Sequence, residues 1–254
     1  MELGAASKFA LGAAAALLIA GCAALGGTSQ TPVETTSDQT LEYYPFQVKG
    51  YQNSYPNRSV LVLTPKDERD FSESGTDNHS PRDGKPAVGI VTNQAGNVIQ
   101  RVYSDPLPAI VQNAIAKSAE EAGMTPRTAP ESDYHPAPKE ADDYVVVSKI
   151  TRGWVRKHRA ADGQFGPRWI TEAKFGLDVV VYKPPFTVPF WQGASNSSYV
   201  DPPVGSFGLG PEDEAGIYDE PGQVLSVALT RAVAGIFDRP ELRTLVMGDE
   251  IRPR

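Results

Sequence analysis

The sequence predicts an α+β fold: one mainly antiparallel sheet with two helices packed on one face. Three observations carry that expectation. Short apolar or alternating runs, bounded by Gly, Pro and polar residues, recur along the chain and read as strands. Two longer stretches carry helical spacing, one after three strands and one after the last, so the order is not that of repeated βαβ units. Composition supplies the third: 254 residues, 40% hydrophobic and 22% charged, with no internal repeat, fit one globular domain and exclude a disordered or polytopic membrane chain.

The first segment reads as an address. Lys8 precedes the apolar run Phe9–Gly21, which has the length of a secretory core and is short for a membrane span. The run ends Leu18-Ile19-Ala20-Gly21-Cys22. That motif resembles the bacterial lipobox, in which a peptidase cleaves before a cysteine that has received diacylglycerol. The resemblance implies residues 1–21 as signal peptide, lipidation of Cys22, and a membrane partner reached through the acyl anchor. Cys22 is the only cysteine, which excludes an intramolecular disulfide, a zinc ribbon and CxxC redox chemistry. The competing reading is an ordinary signal peptide or a short anchor in which Cys22 is incidental. Each buried methylene contributes about 0.8 kcal/mol, so several acyl chains anchor stably where one does not. Ala23 follows the cysteine where Asp is the alternative. By resemblance to enterobacterial sorting, this favours the periplasmic side of the outer membrane. Residues 22–44 are expected to form the lipidated cysteine and a tether, because Thr28–Thr40 is polar and carries no apolar period. The folded domain is expected over residues 45–254.

Within it, Ser59–Thr64 is a continuous apolar run, as in a strand buried on both faces. Residues 67–86 are charged and read as a long exposed loop. Pro86–Val91 and Val98–Tyr103 flank Asn93-Gln94-Ala95-Gly96, a hairpin turn signal. A helix follows: Asp105 is expected to cap it and Pro106 suits its first turn. Its apolar face is Leu107, Ile110, Val111, Ala114, Ile115, Ser118 and Ala122, with Gly123 as the stop. Residues 126–142 read as a Pro-rich loop. Tyr144–Val155 and Trp169–Tyr182 read as strands joined by a charged loop, Arg156–Gly163. Three prolines confine Lys183–Trp191 to a bend or an edge, and pairing resumes over Ser195–Val200. Residues 201–219 form another long loop. A last helix starts at Pro221, buries Leu225, Leu229, Ala232, Val233 and Ile236, and stops at Pro240.

With these elements in place, the chain resembles the YajG-like family of bacterial lipoproteins. The resemblance rests on the lipobox at Cys22, a first strand leading into Asp67-Glu68-Arg69, Val88-Gly89 with Asn93 and Gly96, a helix ending at Gly123, paired strands and a C-terminal helix. It covers most of residues 58–240. The chain departs from a compact version of that family in the 67–86 and 201–219 loops and the Pro-rich 183–191 segment. The resemblance implies fold and location, and no catalytic residues.

No constellation points to catalysis or to a cofactor. His79, His135 and His158 fall in three separate loops, so no metal site is expected. Gly208-Leu209-Gly210 lacks the third glycine and the preceding strand of a nucleotide loop. Glu212-Asp213-Glu214 lacks the alternating spacing of a calcium loop. Asp67, Glu68 and Asp70 offer half of an acid/base pair, against a strand end with Arg69 as local partner. The net charge of −7 leaves no footprint for nucleic acid or anionic lipid. Arg152, Arg156, Lys157, His158 and Arg159 form the one basic cluster, able to meet a lipid phosphate or to serve as a solvated strand end. Phe186, Phe190 and Trp191 lie in the Pro-stiffened segment. They are candidates for a docking edge, or they cover the core under the bend.

These residues give a non-catalytic, lipid-anchored envelope protein that binds a protein or lipid partner. Two alternatives stand beside it. One is an accessory lipoprotein of an envelope lipid or small-molecule transporter; the other is a hydrolase using Asp67.

Overall fold

A computed structural model describes residues 35–44, 54–70, 81–130, 143–163, 166–201 and 220–250. In chain order the elements are β1 (Thr35–Asp38), β2 (Arg58–Leu63), β3 (Lys66–Asp67), β4 (Ala87–Thr92), β5 (Val98–Tyr103), α1 (Leu107–Glu121), β6 (Met124–Ala129), β7 (Tyr144–Gly163), β8 (Gly166–Tyr182), β9 (Pro189–Asp201), α2 (Pro221–Phe237) and α3 (Pro240–Glu250). The long strand β7 organises the sheet. Along one edge it takes three parallel partners in succession: β2 at Tyr144–Val146, β3 at Lys149–Ile150 and β4 at Val155–His158. Its other edge pairs antiparallel with β8, which pairs antiparallel with β9. Parallel β6 flanks β2, and antiparallel β5 followed by parallel β1 flanks β4.

The fold is therefore α+β, but the sheet is mixed where a mainly antiparallel one was expected. The cause is visible in the strands themselves. Every residue of Ala87–Thr92 is buried, and β2 sends Val60 and Val62 to one core cluster and Leu61 and Leu63 to another. Strands covered on both faces are unbroken apolar runs, which is the signature of parallel neighbours.

Four further segments differ from expectation. Arg156–Gly163 is strand, because β8 pairs with β7 as far as Gly163 opposite Gly166. Met124–Ala129, expected partly as loop, is edge strand β6; Pro126 is tolerated there because an edge needs no donor on its open side. Pro240 ends one helix and starts the next, as proline suits a first turn. The folded domain begins before residue 45: β1 pairs with Gln100–Tyr103, and Leu41 and Tyr43 are buried with exposed Glu42 between them.

Helix α1 buries Leu107, Val111, Ala114, Ile115 and Ser118. Asp105 makes no side-chain cap; Pro106 occupies the N-cap position, and Asp105 lies 3.6 Å from Lys85 Nζ instead. Gly123, at φ +93°, turns the chain into β6, a conformation that costs other residues a Cβ clash. Helix α2 buries the whole expected stripe and lies on β8 and β9, while α1 meets β6, β2 and α2. Both helices feed one core cluster with β7 and β8. Ser195 of β9 donates to the Ala232 carbonyl of α2 at 2.6 Å, and a Cβ on Gly235 would sit 2.7 Å from Ser195 Oγ, so the glycine permits this approach. Tyr55, fully buried, donates to the Phe237 carbonyl at 2.8 Å; burial pushes its phenol up to about 12.

Candidate functional site

The entry of the chain into the sheet is held in two ways. Residues 39–44 run along α2, with Gly222 N donating to Gln39 Oε1 (3.1 Å), Glu42 N to Ser226 Oγ (2.9 Å) and Tyr44 N to Thr230 Oγ1 (3.0 Å). Two residues of extended chain rise about 6.6 Å and four residues of helix about 6.0 Å, so the 42/44 spacing matches the 226/230 spacing. Upstream, β1 is fixed to β5, Thr35 Oγ1 donates to the Ile99 carbonyl at 2.6 Å, and Lys85 Nζ meets Asp38 at 3.3 Å. That hydrogen bond to Asp38 holds the Lys85 ammonium above its ordinary pKa. The apolar alternation Leu41-Glu42-Tyr43 was the available signal for this strap; the polar Thr and Ser around it concealed β1.

Across the sheet, cross-strand register aligns Thr35, Gln100, Val91, Lys157, Thr171 and Asp201 in one row. The chain enters at Thr35 on this row. Beyond it, β7 and β8 continue as a two-stranded ribbon to Gly163 and Gly166. Arg156 lies opposite Glu172 one step before this row and Lys157 opposite Thr171 on it, both still paired with β4; His158, opposite Ile170, still pairs with Thr92, and the two-stranded stretch begins with Arg159 opposite Trp169. The basic cluster thus runs from the last rows of the sheet to the first pair of the ribbon, at the end where the chain enters. Side chains alternate along a strand, so Arg156 and His158 share one face and Lys157 and Arg159 the other. Trp169 is 42% exposed, and Val200 at the nearby end of β9 is 54% exposed. Arg152 lies further back, opposite Gly176.

The three aromatic candidates are divided. Phe186 is buried in the turn after β8, at φ +61°, against Leu63 and Val145 in the smaller cluster. Phe190 and Trp191 pack half-buried against the main core. A register shift between Val181/Trp191 and Tyr182/Pro189 leaves Phe190 as an extra residue on β9, and a bulge of this kind lets neighbouring side chains share a face. Phe190 stacks tilted on Tyr144 at 5.5 Å beneath Lys183 Nζ, and the Trp191 ring lies over Gly193. Among the described residues β9 pairs with β8 alone, and its outer edge receives Arg239 Nη2 at the Ala194 carbonyl (2.7 Å).

Asp67 is clamped. Both of its carboxylate oxygens accept from Arg69, from Nε and Nη2, each at 2.8 Å. Arg69 also donates to the Gly153 and Ala87 carbonyls and lies 4.5 Å over the Trp154 ring. Glu68 meets Lys149 at 2.9 Å. On the sheet surface, Val147, Lys149, Asp178, Val180 and Gln192 line a shallow groove of about 460 Å³. Cys22, His79, His135, Gly208–Gly210 and Glu212–Glu214 lie outside the described residues. Among the described residues no helix is long and apolar enough to cross a membrane.

No family model matches the chain, and no curated protein matches it. Among solved structures, a Xanthomonas campestris protein of family DUF330 is 10% identical, covers 86% of this chain and all of its own, and has a TM-score of 0.46. A Helicobacter pylori protein described as a homologue of a neuraminyllactose-binding hemagglutinin is 11% identical over 84% of this chain and all of its own, at a TM-score of 0.42. PelC from Paraburkholderia phytofirmans, solved as a dodecamer, is 11% identical over 74% of this chain and 94% of its own, at 0.35. At these values the likenesses carry nothing about what this chain does. The resemblance to the YajG-like family rests on its motifs alone.

Proposed function

We propose that this is a lipid-anchored, non-catalytic protein of the bacterial envelope that offers the β9 edge to a partner. One observation carries the anchor: the single cysteine stands at the end of Leu18-Ile19-Ala20-Gly21-Cys22. The strapping of residues 35–44 onto β5 and α2 supports it, since an anchored domain transmits load through the segment that enters it. Ala23 favours the outer membrane as destination. The full-length chain, expressed in bacteria fed an alkyne fatty acid, takes up the label and sediments with membranes, and Cys22→Ser does neither. An unlabelled wild-type chain overturns the anchor.

The partner surface follows from the outer edge of β9, which pairs with no other strand among the described residues. A strand with one free side offers unpaired N–H and C=O groups to an added strand. Between Phe190 and Val200 it carries no charge that would repel one, and Trp191 lies half-exposed beside it. A photo-crosslinker at residue 191 in intact cells is expected to give one discrete protein adduct; scattered background removes β9 from the proposal. The shallow groove lined by Val147 and Val180 favours the transport-accessory reading, which a discrete lipid adduct would select in the same experiment.

A further inference from the structure

We infer that the β9 edge takes an extended acidic segment of a partner protein, with Arg239 and Arg231 meeting carboxylates four residues apart on it. This rests on the edge reading above and names the partner's chemistry. The Ala194 carbonyl points to the outer side of β9, since it accepts from Arg239. Backbone groups alternate along a strand, so Asn196, Ser198 and Val200 present theirs on the same side. Among the described residues no strand pairs there. Ser195 and Tyr199 point to the helix face, Ser195 bonded to α2 and Tyr199 in the main core. In an added strand the residues opposite these two point the same way, about 14 Å apart.

An arginine stands beside each of those two positions. Arg239, exposed in the turn between α2 and α3, reaches the edge next to Ser195, and its bond to Ala194 is its only hydrogen bond. The remaining guanidinium donors form a fork that a carboxylate matches. The acids nearest in sequence are Asp238, which lies 3.8 Å from Arg243, and Glu241 in the first turn of α3. Arg231 of α2 holds its guanidinium 4.9 Å over the Tyr199 ring. β9 itself carries no charge from Phe190 to Val200. A second copy fits this edge worse than an acidic segment does. Antiparallel self-pairing about the middle of the stretch sets Ala194 near Tyr199 of the other copy, and so brings Arg239 against Arg231, two like charges.

The test uses the full-length chain, purified in detergent, with the photo-crosslinker at residue 191 to trap weak complexes. The probes are two eleven-residue peptides of alternating Thr and Val, one with Glu at its fourth and eighth positions and one with Gln there. Each exposed ion pair is worth about threefold, so the Glu peptide is expected to be captured about tenfold better than the Gln peptide. Arg239→Gln keeps an amide donor for Ala194 and is expected to lose about threefold for the Glu peptide only. Ser198→Pro removes an outward N–H that β8 does not use, so it is expected to abolish capture of both peptides with an unchanged circular dichroism melt. Equal capture of the two peptides overturns the acidic occupant and leaves the edge reading standing. Full capture by Ser198→Pro shows that the peptide does not add as a strand and overturns both. Capture of neither peptide by the crosslinker chain overturns the acidic occupant, and the adduct formed at residue 191 in cells then decides the edge alone.

Discussion

Asp67→Ala is expected to cost about 3–5 kcal/mol of folding stability, more than Arg69→Met at the other end of the same ion pair. The asymmetry follows from burial. The Arg69 side chain is 0% exposed and the Asp67 side chain 25%. Removing the carboxylate strands a guanidinium in the interior, whereas removing the guanidinium leaves a carboxylate that water can reach. Methionine at position 69 also fills space between Trp154 and Gly153, where a Cβ built on the glycine already meets Arg69 Cδ at 3.2 Å. Its cost is the donors lost to the Ala87 and Gly153 carbonyls, about 1–3 kcal/mol. Urea melts of the singles and the double variant complete the cycle. The double variant is expected to be more stable than Asp67→Ala alone, since it buries no unpaired charge. A double variant at or below Asp67→Ala would show that the pair is not what holds Arg69 in place.

That ion pair also shows what the sequence makes legible. Asp67 and Arg69 stand two residues apart, and the local-partner reading needed nothing more. Its depth was hidden, because the groups that bury Arg69 come from Ala87, Gly153 and Trp154, which only the parallel register of β3 and β4 on β7 brings together. Both long helices were legible from period alone, as their buried stripes are residues three and four apart. Strand direction was not, although the unbroken apolar runs at Ser59–Thr64 and Ala87–Val91 pointed to parallel neighbours. The polar edge strands β1 and β6 left no hydrophobic pattern, since an edge need bury little. At the candidate site, the basic cluster was visible as composition and read as a strand end running into a loop. Its place on β7 in the rows beside the chain entry depends on five cross-strand registers that no local window contains.

The same registers make Gly89 the most sensitive backbone position. A Cβ at Gly89 would fall on the carbonyl oxygen of Val155, with the Val155 carbonyl carbon at 2.9 Å. These are backbone atoms of the neighbouring parallel strand, so no rotamer change relieves the overlap; β4 must move away from β7. Gly89→Ala is expected to destabilise the fold by about 3 kcal/mol or more, the range of overpacking that a core cannot absorb. Gly96→Ala is the matched control. That glycine has open space around its Cβ direction and only a φ of +83° to lose, worth about 1 kcal/mol. Chemical denaturation ranks the two, and amide exchange locates the damage: β4 and β5 lose protection first, ahead of β8 and β9. Equal losses for the two variants would mean that β4 yields cheaply. The functional consequence is geometric. β4 and β5 are the strands between the Thr35 entry and β7, so a sheet opened at Gly89 no longer holds the entry and the basic stretch of β7 at a fixed spacing.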